Sequence, residues 1–206
     1  QEDREVDDVF ELQGEITAII AANLGEALWQ SEAKRISNRS ELDFDVYELC
    51  IRATQLLHRM DRDSIMRSIA VAERAYALGP DELLPGVILG FCHVLMLLHG
   101  YTDDPPATVQ TTVRLAREAL AKDEANPTVQ RLAAITFLNV GQTHKAQSHI
   151  GRALGLNPYD ADVLVAQAVP FRLAGNYDAA VEWHEIGIRY NRHAPPYYRA
   201  SLGLCG

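Results

Sequence analysis

Histidine and cysteine side chains are the groups in this sequence that could bind a metal ion, and their spacing argues against such a site. His144 and His149 are five residues apart. On a helix their side chains would point about 140° apart and could not bind one ion together. Cys92 and His93 are adjacent, which suits no common arrangement of metal ligands. The sequence therefore predicts no metal site.

The residues do not support another kind of catalytic or cofactor site either. The glycines are scattered rather than grouped into a loop that could hold a phosphate. A serine, a histidine and an aspartate occur in any chain of this size, so their presence predicts no hydrolytic triad. We expect no catalytic residue, no enzymatic activity and no cofactor in these 206 residues.

The cysteines and the hydropathy of the chain indicate its compartment. Cys50, Cys92 and Cys205 lie far apart in apolar settings, which is typical of free thiols in a cytosolic protein. The charged start of the chain lacks the apolar core of a signal peptide. The longest apolar run, residues 86–98, is too short to span a bilayer. We therefore predict a cytoplasmic location and no membrane association.

The net charge of −9 is concentrated at the N-terminus. Residues 1–45 contain 12 acidic and 4 basic residues, whereas the remaining 161 contain 16 and 15. Binding nucleic acid by neutralising phosphates requires a basic face, so we predict that this chain does not bind nucleic acid. The near-neutral remainder suits a surface that meets another protein. Because the chain does not begin with Met, we expect it to be a fragment of a longer protein.

A 34-residue period organises the C-terminal half of the sequence. Residues 127–160 and 161–194 align without a gap, with Gly141 and Gly175 at position fifteen of each. Small residues recur at positions eight, twenty and twenty-seven: Ala134, Ala146 and Ala153 in the first period, and Ala168, Ala180 and Gly187 in the second. Small residues at this spacing let two helices approach closely. Each period therefore predicts a helix–turn–helix unit.

Two less regular units are expected before this pair. The predicted units are residues 46–82, 83–126, 127–160 and 161–194, followed by a truncated helix over 195–206. Their small residues are Ala53, Ser68 and Ala75 in the first unit and Gly90, Thr112 and Ala119 in the second. In the first unit we expect helices over about 46–60 and 64–78. In the second, a turn over residues 99–106 separates the helices, because its Asp-Asp-Pro-Pro run ends any helix before it.

The first 45 residues are predicted to form an acidic segment with a long amphipathic helix, over about 8–36, and a polar linker over 37–45. One face of this helix is apolar, and its residues are Val9, Leu12, Ile16, Ile19, Leu24 and Leu28. We expect such an apolar stripe to pack against another surface. Either the helix packs on the first unit as a cap, or it pairs with a second copy, since its spacing is nearly heptad for two turns. The second alternative predicts a homodimer.

The 34-residue period with these small residues resembles the tetratricopeptide repeat (TPR), a helix–turn–helix unit that stacks into a solenoid. The resemblance implies an all-α fold of antiparallel helix pairs, preceded here by the long N-terminal helix. It also implies a concave inner face, lined by the first helix of each unit, that binds a protein or peptide partner.

Other segments resemble one group of bacterial proteins. Residues 3–16 are similar to a segment that joins a TolB-like module to tetratricopeptide repeats, and residues 47–60, 97–105 and 189–198 are similar to further parts of the same group. In that group the repeats commonly follow a class III adenylate or guanylate cyclase domain. The resemblance implies a regulatory region of a cyclase, a phosphorus–oxygen lyase of cAMP-type signalling. In other members a winged-helix DNA-binding domain takes that place, so a sensing or dimerising part of a transcription regulator is the alternative.

The resemblance also implies which residues line the groove, because groove residues of the family occupy set positions of the first helix. The expected partner-binding residues are Val87, Phe91, Val94, Arg131, Ile135, Leu138, Asn139, Val165, Val169 and Arg172. The lysine and asparagine that bind a terminal carboxylate in some repeat proteins are absent. We therefore expect a hydrophobic peptide or helix that carries an acid. The alternative is that a helix of this chain, such as the N-terminal one, fills the groove in cis.

Overall fold

The structure of the protein is a computed structural model, and it describes residues 41–191 and Tyr198. This part consists of eight α-helices joined by short turns, and no strand occurs within it. The helices are α1 (Glu41–Leu57), α2 (Arg62–Leu78), α3 (Leu83–Leu98), α4 (Pro105–Lys122), α5 (Pro127–Asn139), α6 (Thr143–Leu156), α7 (Ala161–Leu173) and α8 (Tyr177–Tyr190). The prediction of an all-α array of helix pairs is confirmed.

The packing of the helices gives the array its curvature. Every helix contacts the next one along the chain, and the first helices of neighbouring pairs (α1, α3, α5 and α7) also contact each other in series. The second helices of neighbouring pairs (α2, α4, α6 and α8) lie farther apart. The described part is therefore a solenoid whose first helices line the inner, concave side.

Side chains at the helix starts explain where most helices begin. The residues whose side-chain oxygen accepts a hydrogen bond from a backbone N–H of the first turn are Asp61, Asp104, Asn126, Asp160 and Asn176. Such caps satisfy backbone donors that have no partner within the helix. Helices α4 and α5 also start with proline, whose missing N–H costs no hydrogen bond at this position.

The turn between the two helices of each pair contains a residue in the left-handed backbone region. Gly100, Gly141 and Gly175 have φ values of 65°, 73° and 76°. Glycine adopts this region without steric cost. In the first pair the same place is taken by Met60, with φ of 62°, a conformation that is unfavourable for a residue with a Cβ atom.

All small residues at positions eight, twenty and twenty-seven are buried. The approach is closest at Gly187 of α8, where an added Cβ atom would lie 2.6 Å from Cγ2 of Val165 and 3.0 Å from the carbonyl oxygen of Ala161. In the first pair, the Ser68 hydroxyl donates a hydrogen bond of 2.7 Å to the carbonyl oxygen of Ala53. The array therefore tolerates a small polar residue in this contact when its hydroxyl is hydrogen-bonded.

The structure corrects three boundaries in the first unit, one of which is the end of α1, at Leu57 rather than near residue 60. The predicted linker over 37–45 is wrong for its last five residues, because α1 begins at Glu41. The polar sequence there indicated a linker, but acidic residues also favour the first turn of a helix, where they meet the positive end of its dipole. Helix α2 begins at Arg62, two residues earlier than expected, because Asp61 caps it through a hydrogen bond of 2.8 Å from the Ser64 N–H.

Two of the three cysteines lie in the described part and are buried as free thiols. Cys50 and Cys92 belong to the same core cluster, and burial raises their pKa to about 12 and about 11. Cys205 and the predicted N-terminal helix lie outside the described residues, so the self-association stripe of residues 9–28 stays a prediction. Among the helices described, none is long and apolar enough to cross a bilayer.

Candidate partner-binding groove

The centre of the concave side is a row of side chains that joins neighbouring units. Cζ of Arg131, on α5, lies 4.4 Å from the centre of the Phe91 ring on α3. On its other side, Nη2 of Arg131 lies 3.2 Å from Oδ2 of Asp162 on α7. The Tyr198 hydroxyl donates a hydrogen bond of 2.6 Å to Oδ1 of Asp162. We call Phe91, Arg131, Asp162 and Tyr198 the inner ladder.

The inner ladder is partly shielded from solvent. The Arg131 side chain is 16% exposed and the Asp162 side chain 35%, so their ion pair is screened less than one on an open surface. Burial lowers the pKa of His58, on which the charges of Asp162 and Arg131 act in opposite directions. His58 therefore lies within electrostatic range of the ladder. Arg131 already contacts Phe91 and Asp162 of this chain, so its guanidinium is not available to an acidic ligand unless these contacts break.

Beyond the ladder, the groove has an apolar part with one further cation. Ile135, Leu138, Val169 and Arg172 are half-buried on α5 and α7. The Asn139 amide, which is also half-buried, donates a hydrogen bond of 3.0 Å to the carbonyl oxygen of Ile135. Among the described residues, none forms a hydrogen bond or an ion pair with the Arg172 side chain. Next to it, Leu173 is 58% exposed.

Three predicted groove residues are buried, which corrects their assignment. Val87 and Val94 belong to a core cluster between α3, α4 and α5 and are 3% and 1% exposed. Val165 is 6% exposed and lies under Gly187 of α8. In these places the neighbouring helix is close enough to cover a valine. The position of a residue within the repeat does not show how closely that neighbour packs.

The structure places Phe91 and Arg131 in the inner ladder. The other predicted residues are half-buried on α5 and α7, and their part in a binding groove stays a prediction: Ile135, Leu138, Asn139, Val169 and Arg172. Asp162 occupies position two of the fourth unit, which is a groove position of the family, and it completes the inner ladder together with Tyr198, which was not predicted. Position two of the fourth unit lies near position five of the third, and the two positions carry opposite charges, Asp162 and Arg131. Counted from residue 195, Tyr198 is at position four. The same position of the third unit is Gln130, which is also buried.

Two histidines of the described part, His149 and His184, act as packing residues. The Nδ1–H of His149 donates a hydrogen bond of 2.7 Å to Oε1 of Gln130, because the amide nitrogen of Gln130 is bonded to the Glu124 carbonyl oxygen. The His149 ring also stacks on Phe137, with 5.2 Å between ring centres. His184 is buried and bonds to the carbonyl oxygen of Ala180 through Nδ1. Within residues 41–191, no three His, Cys, Asp or Glu side chains are grouped so that they could hold a metal ion.

Comparison with solved structures identifies the fold. The chain is similar to TTC0263, a thermophilic TPR protein of Thermus thermophilus, with a TM-score of 0.62 and 13% identity over 93% of this chain and 98% of that one. It is also similar to human IFIT1, solved as a dimer with m7Gppp-AAAA, with a TM-score of 0.63 and 16% identity over 92% of this chain and 43% of that one. The fold is therefore a tetratricopeptide-repeat solenoid.

A comparison of sequences gives a weaker likeness. The chain is 24% identical over 125 residues to "Putative adenylate cyclase 3" of Rhizobium meliloti (strain 1021). The aligned region covers 61% of this chain and 21% of that protein, so the chain corresponds to about a fifth of the relative's length. No family model matches the chain.

Proposed function

We propose that this chain is the protein-interaction and regulatory region of a bacterial signalling protein of the adenylate or guanylate cyclase type. In this proposal the concave groove binds a hydrophobic peptide or helix that carries an acidic residue. The region performs no chemistry itself. Its action on the parent protein follows from partner binding or from self-association.

One feature carries the binding part of this proposal: the part of the groove on α5 and α7 combines half-buried apolar residues with a cation that has no charged partner among the described residues. Val169 and Leu138 are half-buried there, and Arg172 has no charged partner among the described residues. An acidic side chain that meets Arg172 within an apolar groove would form a charge-assisted hydrogen bond. Arg131 cannot provide this contact without giving up its ion pair with Asp162.

The cyclase part of the proposal has two supports of a different kind. The flanking segments of the sequence resemble those of cyclase-associated repeat regions, and the Rhizobium meliloti relative is named as an adenylate cyclase. In such a protein the catalytic domain lies in a different part of the chain from the repeats. A repeat region that binds a partner could then change how the catalytic domain pairs or moves.

The first experiment measures cyclic nucleotide production by the full-length parent protein with and without residues 1–206. We expect activity that changes when this region is deleted. Activity that is the same in both forms would contradict a regulatory role. A complete lack of activity in both would contradict the cyclase assignment and favour the transcription-regulator alternative.

A second experiment tests the groove itself in the parent protein. The double variant Val169→Glu with Arg172→Glu places acids in the part of the groove on α5 and α7, and we expect it to reproduce the effect of the deletion. The matched control is Arg189→Glu, which reverses an exposed charge on α8 of the same unit. Equal effects of the groove variant and the control would show that the groove is not the binding surface.

A further inference from the structure

The outer surface of α4 contains a shallow cavity on the side of the solenoid opposite the groove. Its volume is about 380 Å³, and its lining residues are Val109, Gln110, Val113, Arg114, Arg117 and Glu118. These residues lie three or four positions apart along the helix, so they share one face. The cavity is therefore a feature of a helix face that points away from the core.

This face of α4 is unusually apolar for an outer surface. The inner side of α4 packs in the core through Thr112, Leu115, Ala116 and Ala119, all of which are buried. Val109 and Val113 are half-buried but belong to none of the core clusters of the described residues. The corresponding positions of α6 carry Thr143 and Gln147. Helix α4 thus has a second apolar stripe that the described helices do not cover.

The rim of the cavity is positively charged. Glu118 accepts hydrogen bonds from the Tyr76 hydroxyl at 2.7 Å and from Nη1 of Arg114 at 2.8 Å, so its charge is balanced locally. Arg117 is exposed and forms no ion pair with any described residue. An apolar floor with a free cation at its edge suits an amphipathic helix that carries acids beside its apolar stripe.

We propose that residues 9–28 of this chain dock in cis along the outer face of α4, over this cavity. The segment combines the apolar stripe described above with three acidic residues and no basic one, which complements the valines and Arg117. As a helix its 20 residues would be about 30 Å long, slightly longer than the 18-residue α4. The 12 residues that connect it to α1 can span about 40 Å. This proposal is independent of the function proposed for the groove.

Docking of the acidic segment on α4 would leave the groove unoccupied by that segment. If the acidic segment lies on α4, it does not fill the concave side, and the groove stays available to a partner. It also assigns a role to the strong charge asymmetry of the chain, because the acidic segment then lies on a face with excess positive charge.

The test uses the full chain with Cys205→Ser and one reporter cysteine, Gln110→Cys, at the cavity. Cys50 and Cys92 are buried, and their raised pKa values keep them silent toward a thiol reagent. The measured quantity is the rate of maleimide labelling. The matched control is a chain with the reporter Gln147→Cys on the exposed outer face of α6. We expect labelling at Gln110→Cys to be at least fivefold slower than at Gln147→Cys.

Two variants identify what protects the reporter. Ile16→Asp with Ile19→Asp, and separately Arg117→Glu, should each raise the rate at Gln110→Cys at least threefold and leave the rate at Gln147→Cys unchanged. Arg117→Glu keeps the test valid if the first variant fails to fold. Equal rates at the two reporters, or a rate that neither variant changes, would overturn the proposal. Protection that disappears on dilution would overturn docking in cis, since it would identify the occupant as a second copy of the chain.

Discussion

The two C-terminal units and the two N-terminal units achieve the same helix packing with different sequences. The C-terminal pair has two periods of 34 residues, alanine or glycine at every close contact, and glycine in both turns. The N-terminal pair has longer units, hydroxyl residues Ser68 and Thr112 at position twenty, and Met60 in its first turn. Both Ser68 and Thr112 are buried and donate hydrogen bonds to backbone carbonyl oxygens.

The comparison shows which requirements of the repeat are strict. Unit length is not one of them, because α3 and α4 extend to 16 and 18 residues without loss of the close contacts. The strict requirements are a small side chain where two helices touch and a residue in the left-handed backbone region where the chain turns. Serine or threonine meets the first requirement if its hydroxyl is hydrogen-bonded. Met60 meets the second at a cost in free energy.

The largest effect is expected at the close contact of the C-terminal pair. Gly187→Ala puts a Cβ atom against the backbone oxygen of Ala161, which cannot rotate away, so we expect a loss of about 1–3 kcal/mol in the free energy of unfolding. In the N-terminal pair, Gly90→Ala should cost less, because its new neighbour would be the flexible end of the Leu132 side chain. Urea unfolding of the full-length variants measures both.

The control for this prediction is Gly151→Ala on α6. No atom outside its own helix lies within 4 Å of the added Cβ, and alanine favours a helix over glycine by about 1 kcal/mol. Gly151→Ala should therefore stabilise the protein. If Gly187→Ala stabilises it to the same extent, the close approach of α7 and α8 is not a constraint.

The turn residues give the next largest effect, with opposite signs in the two halves. Met60→Gly removes the left-handed strain of a residue with a Cβ atom, which is worth about 1–2 kcal/mol. The greater freedom of glycine in the unfolded chain offsets about half of this gain. We expect Met60→Gly to raise the midpoint of thermal unfolding and the reverse exchange, Gly141→Met, to lower it. A fall in both midpoints would show that the Met60 side chain contributes more through packing than its backbone costs.

The smallest effect concerns two aspartates that cap helices and differ in burial. Hydrogen bonds from Ser64 hold the pKa of Asp61 below its ordinary value of 3.8. The stability from this cap is therefore present above pH 3.8 and is lost as the pH falls through the lowered pKa. Burial raises the pKa of Asp160 above 3.8, against the opposing effect of Arg131. Its contribution is therefore present below pH 3.8 and is lost as the pH rises through the raised pKa.

Asparagine keeps the cap and removes the charge. At neutral pH, Asp61→Asn should be less stable than the wild type and Asp160→Asn more stable, and both differences should fade below pH 3.8. Thermal unfolding at several pH values between 3 and 7 measures the two profiles. Profiles with the same sign for both variants would contradict the difference in environment between the two caps.

The sequence was sufficient for the fold because the repeat depends on local rules. Small residues at fixed spacing, turn glycines and the Asp-Asp-Pro-Pro run predicted the helix pairs that the structure describes, and the errors lie at both ends of α1 and at the starts of α2 and α4. The error at the start of α1 arose because acidic residues suit both a linker and the first turn of a helix.

The groove was less predictable because it depends on contacts between units. Repeat position correctly placed Arg131 on the inner side but could not show that Asp162 of the next unit would bind it. The burial of Val87, Val94 and Val165 follows from how closely the neighbouring helix packs, which a repeat pattern does not specify. Pairs of positions in adjacent units are therefore more informative than positions taken one at a time.

The inner ladder also has a mechanical consequence. When a curved solenoid is straightened, the distances between neighbouring units grow most on its inner radius. The contacts of Arg131 with Phe91 and Asp162 cross two junctions between described units on that radius, and the hydrogen bond from Tyr198 continues them past α7. These contacts oppose straightening of the solenoid, whereas the second helices on the convex side lie farther apart and oppose it less. The stiffness of the array therefore depends on a few side chains on its concave side.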